Sequence, residues 1–142
     1  MLNILGPLKK LGPLELVKSV KALLEKNTNI AIYDVPPINE SAPLAFIELS
    51  SIPPVKNKTM YRDKYSVFVH VIAKPSDSNV EVYKMIQEIE EAFSENISLN
   101  EQFKLIKQVS EGLITIKKDP SGEKHAILSY SFDICYGFKL KI

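Results

Sequence analysis

The first periodic stretch of the chain is helical. Leu16, Val17, Val20, Leu23 and Leu24 recur at three- and four-residue spacing, with Lys18, Lys21 and Glu25 on the other face. Pro13 stands where a first turn tolerates proline, and Asn27-Thr28-Asn29 ends the segment. Two apolar runs follow, Ile30 to Tyr33 and Leu44 to Ser51, and both read as strands. Between them, Asp34 to Pro43 cannot join a central ladder, because its prolines lack the N–H. Ile52 to Met60 reads as a polar, basic loop. Tyr65 to Ala73 then alternates: Tyr65, Val67, Val69, Val71 and Ala73 share one side, and Ser66, Phe68, His70 and Ile72 the other. Both sides are largely apolar, which predicts a central strand.

A second helix carries the stripe Val82, Ile86, Ile89 and Phe93, with Met85 and Ala92 beside it. Ser78 and Glu81 have the spacing of a capping box at its start. Phe103 to Val109 and Leu113 to Lys117 predict two strands, or one bent about Gly112. Asp119-Pro120-Ser121-Gly122 is a turn by its chemistry. His125 to Tyr136 is a long final strand whose even positions, Ala126 to Tyr136, form the candidate core face. This order predicts an α+β fold: a mostly antiparallel sheet with both helices packed on one face. Residues 1–12 read as an arm and 13–142 as a single domain.

Composition narrows the function classes. The chain has 142 residues, 45% apolar and 25% charged, with a formal net charge of +1. That balance suits a globular domain, and bulk charge points to neither nucleic acid nor a membrane surface. No run approaches the ~18 apolar residues of a membrane span. The charges at Lys9 and Lys10 follow the apolar start, the reverse of a signal peptide. Cys135 is the only cysteine, so an internal disulfide framework is excluded and a reduced thiol in a strand is expected.

Candidate chemistry is sparse. No nucleotide-binding, metalloprotease or hydrolase motif occurs. His70 and His125 are the only histidines, and their pattern reads as packing or surface placement. Cys135 reads as a small hydrophobe in a strand, not as half of a nucleophilic dyad. Glu81, Glu88, Glu91 and Glu95 share one helix face, which reads as solvated; a metal site or a subunit contact is the alternative. Lys56, Lys58, Arg62 and Lys64, with Tyr61, form a basic group suited to a partner contact. Asp34, Pro36 and Pro37 mark a rigid loop that is either a preformed contact or a plain crossover. No cofactor or metal is expected.

Several stretches together resemble the tail-completion, or tail terminator, family of long-tailed phages. They are the helix before "IAIYDVPP", then "APLAFIEL", "YSVFVHVIA", "VYKMIQEIEEAF" and "KKDPSGEKHAILSYSFDI". Tyr33, Asp34, Pro36, Pro43 and Glu48 carry one signature; Asp119, Pro120, Gly122 and His125 carry the other. The resemblance implies a structural, non-enzymatic virion protein, assembled in the host cytoplasm. It implies a ring of about six copies on the head-proximal end of the tail tube. Such a ring stops tail polymerisation and offers a surface for head–tail joining. The implied partners are the chain itself, the tail tube protein, the head connector or stopper, and DNA passing through without sequence recognition. A head-side adaptor is a second reading within this class. A small nucleic-acid-binding module is the reading of a different class, and no K/R-G-F/Y pattern supports it.

Overall fold

One long strand organises the fold. In the computed structural model, which describes residues 7–139, β4 (Met60–Ala73) lies in the middle of a six-stranded sheet. The strand order is β1 (Ile32–Tyr33), β2 (Leu44–Ser51), β4, β6 (Lys124–Phe138), β5 (Lys104–Lys118), with β3 (Pro54–Val55) paired to β4 off this path. All pairings are antiparallel except β1 with β2. Two helices, α1 (Pro13–Asn27) and α2 (Val80–Ala92), pack on one face: α1 on β1 and β2, α2 on β4 and β6. The expected α+β class is therefore the observed one.

The alternation in β4 and β6 does what one-sided burial demands. Val67, Val69 and Val71 are fully buried under the helices, as are Ala126, Leu128, Tyr130, Phe132 and Ile134. α1 meets them through Leu16, Val20, Leu23 and Leu24. α2 buries Val82, Met85, Ile89 and Ala92, while Ile86 of the expected stripe is only half-buried. Phe93 ends that stripe by stacking on Tyr130, with ring centroids 3.8 Å apart.

Several boundaries differ from the sequence reading. β4 begins at Met60, not Tyr65, and the expected loop from Ile52 contains β3. The first strand shrinks to two residues, Ile32 and Tyr33. The stretch about Gly112 is one strand, β5, with register shifts at Leu105/Lys107, Ser110/Gly112 and Leu113/Thr115. Gly112 has φ +97, a conformation that favours glycine. The capping box does not form: Asn79 is the N-cap, without a side-chain cap bond. Ser78 Oγ instead accepts from the Val80 N–H at 3.2 Å, and Lys124 Nζ donates to Asn79 Oδ1 at 2.7 Å. The helix thus starts one residue after the pattern suggests. The Asp119–Gly122 turn forms as read, with Gly122 N donating to Asp119 O at 2.8 Å and Gly122 at φ +90.

Of the expected arm, residues 1–6 lie outside the described residues. Residues 7–12 run along the end of the core. Leu11 is buried, and its carbonyl accepts from the Tyr65 hydroxyl at 2.6 Å. Burial, and next the carboxylate of Asp63, push the Tyr65 phenol up to about 12, so it remains a donor at any ordinary pH.

Truncating Phe93 to Ala removes the ring stacked on Tyr130. The expected loss is about 3–5 kcal/mol of unfolding free energy, read by urea denaturation; an unchanged midpoint would show that this contact carries no stability.

Candidate functional site

The residues singled out in the sequence fall on three separate surfaces. The basic group does not stay together. Lys56 and Lys58 are exposed in the connection between β3 and β4. Asn57 fixes that connection, its Oδ1 accepting from Thr59 N, Thr59 Oγ1 and Met60 N at 2.9–3.1 Å. Tyr61, Arg62 and Lys64 belong to β4 instead. Tyr61 stacks on Tyr136 at 5.8 Å. The Lys139 ammonium lies 5.3 Å from the Tyr61 ring, and that of Lys10 lies 5.3 Å from the Tyr136 ring. Lys139 also donates to Asn57 O at 2.7 Å.

Arg62 is an internal cation. Its Nε donates to Asp133 Oδ1 at 2.9 Å, and its Nη2 donates to Asp133 Oδ2, a two-pronged pair to a buried carboxylate on β6. Lys64 lies 3.7 Å from Glu111 of β5. Arg62 is thus engaged within the chain, whereas Lys64, Lys56 and Lys58 are exposed.

The proline loop lies at the opposite end of β2. Asp34, Val35 and Pro36 line a shallow cavity of about 410 Å³ with Phe46, Ile47, Glu48 and Leu49, and Pro37 is half-buried. The loop ends in a cis Ala42–Pro43 bond. Its apolar tip points outward: Ile38 is 94% exposed and Val35 62%.

The glutamate row is only partly solvated. Glu81 and Glu91 are exposed. Glu88 accepts from the Asn29 N–H at 2.8 Å. Glu95 lies beyond the end of α2 and holds Lys26 at 2.7 Å and Asn27 Nδ2 at 3.3 Å. These hydrogen bonds, that from Lys26 first, hold the Glu95 carboxyl below the usual range. The row therefore ties the two helices together at one end and is free at the other.

Sequence reasoning missed one constellation on the face without helices. His70 Nε2 lies 2.7 Å from Glu48 Oε1, and His70 Nδ1 lies 2.8 Å from His125 Nε2. Phe46 stacks on His70 at 4.3 Å and 6°. The register causes this: Phe46 is opposite His70, and His125 is opposite Ile72, on three adjacent strands. With both rings neutral, one assignment satisfies both bonds: His125 Nε2–H donates to His70, and His70 Nε2–H donates to Glu48. Burial first, then His70, and last Lys117 push the His125 pKa down, against a smaller opposing pull from Asp119. Among the described residues, no three His, Cys, Asp or Glu side chains are arranged to hold a metal ion. Cys135 is buried and free. Among the described residues, no helix is long and apolar enough to cross a membrane.

Residues 7–142 match the family model described as "Putative tail termination protein". No curated protein matches the chain. Among solved structures, the chain is similar to one from a structure described as "Virion of native gene transfer agent (GTA) particle". The TM-score is 0.59 at 13% identity, over 82% of this chain and 84% of the other. That likeness is one of fold.

Two outcomes follow from this geometry. The unfolded chain protonates His125 near 6.5, and the fold lowers that value. Below 6.5 the unfolded state therefore binds more protons, so stability is complete above this pH and falls as pH drops through the lowered folded value. Urea midpoints measured across this window should show a decline that His125→Asn flattens. Arg62→Ala strands a buried carboxylate and should cost about 3–5 kcal/mol, whereas the Arg62→Met, Asp133→Leu pair recovers most of that loss in the same assay.

Proposed function

We propose, from the premise that this chain belongs to the phage tail terminator family, that it caps the head-proximal end of the tail tube as a ring of identical copies. The family is one of structural tail proteins. The carrying observation is the match across residues 7–142, which takes in both helices and every strand. In this reading the ring stops tube polymerisation and supplies the surface on which the head connector docks. DNA passes through it without sequence recognition.

The surfaces suit such a role. A ring needs a heterologous interface and further faces for the tube and the head. The loop from Asp34 to Pro43, stiffened by prolines, carries exposed apolar side chains on a tethered backbone and so offers a contact that needs little ordering. Lys56 and Lys58, on another surface, meet an acidic one. A near-neutral chain whose contacts are spread over small patches need not close its ring in dilute solution; the tube end templates it.

Electron microscopy of particles made without this gene tests the reading. Tails of uncontrolled length, with unjoined heads, are expected. Unjoined tails of normal length would assign the protein to the head-side adaptor instead, and normal joined particles would overturn both.

A further inference from the structure

The end of the sheet where β4 begins and β6 finishes presents a surface that no other described residue covers. Its centre is the apolar side chain of Phe138, 67% exposed. Lys139 follows it in the chain and donates to Asn57 O, between Lys56 and Lys58; all three lysines are exposed. The nearby carboxylate, Asp63, is buried and held 3.6 Å from Lys10, so it offers nothing outward. Lys139 is already oriented by Asn57 and the Tyr61 ring. An apolar centre with a basic rim fits an apolar centre with an acidic one.

The outer face of α2 has that character. Val80 and Tyr83 are 52% and 55% exposed, and Glu81 and Glu91 are exposed beside them. Lys84 is the single exposed cation of the helix, so the face is net acidic. The two surfaces lie on different parts of the molecule, one at an end of the sheet and one on the helical layer. Like cannot meet like here, because lysines would face lysines and glutamates glutamates.

We infer that the basic, Phe138-centred end of one copy docks on the outer face of α2 of a second copy. This rests on the ring reading above and names its subunit interface. The contact is heterologous, so each copy uses both surfaces and a closed ring leaves neither exposed. The apolar centres supply the affinity; the charged rims set orientation, association rate and salt dependence.

Photo-cross-linking tests it. A benzophenone amino acid replaces Phe138 in the full chain, tails are assembled with it, and cross-linked peptides are identified by mass spectrometry. The expected product joins position 138 of one copy to residues 80–91 of another. K56E with K58E should lower its yield several-fold at low salt, and adding E81K with E91K to the same chain should restore it. A benzophenone at Tyr83 provides the reciprocal probe if the first variant fails to fold. Capped tails that carry rings but cross-link elsewhere, or to a different protein, overturn this interface and leave the ring intact. Capped tails without rings overturn the ring reading itself.

Discussion

The antiparallel ladder between β4 and β6 is the constraint from which the other parts take their places. It runs from Met60 opposite Phe138 to Ala73 opposite Lys124. Every second side chain along most of it is fully withdrawn from water. A one-residue slip would turn these valines and aromatics outward, so the register is held by the whole row. Both helices dock on the surface that this register creates. The Glu48–His70–His125 chain exists because the same register brings three polar side chains together on the reverse face.

Near its lower end the ladder changes character. Between Tyr61 and Arg62 the pairing shifts, and just inside that point, at Arg62, Asp63 and Asp133, charged groups interrupt the apolar rows. Arg62 and Asp133 neutralise each other across strands, while Asp63 turns to Lys10 on the opposite face. A buried charge without its partner costs several kcal/mol, so these pairs act as register marks as much as sources of stability.

What could be read in advance follows from how local each cause is. One-sided burial writes a period of two into Tyr65 to Ala73 and Ala126 to Ile134, and that pattern survived into the structure; Tyr136, expected on the same face, falls at the register shift and is half-buried. Tyr61 to Lys64 carried no strand signal in sequence, because the partners of its charged side chains lie far away; Arg62 and Asp133 are 71 residues apart. Glu48 and His125 lie 22 and 55 residues from His70, a separation that leaves no local mark. Gln108 is a similar case. Its side chain bonds Phe93 O, Glu95 O and Ile97 N, pinning the connection between α2 and β5, yet nothing near it in sequence announces this. The capping box is the opposite case: the local pattern was present, yet Ser78 Oγ takes the Val80 N–H and Asn79 becomes the N-cap.

The position of β6 has a consequence in time. It is the central partner of both β4 and β5, yet it is synthesised after every other described element. The sheet cannot close while the ribosome is still making the strand that joins its two halves. The arm waits as well, since Leu8 packs 3.3 Å from where a Cβ on Gly137 would stand, and Lys10 sits over Tyr136. The earliest described residues thus find their seats only when the latest have emerged. A chain cut short before β6 lacks both the strand that joins the two halves of the sheet and the seat for residues 8–10, so neither can be completed until the end of synthesis.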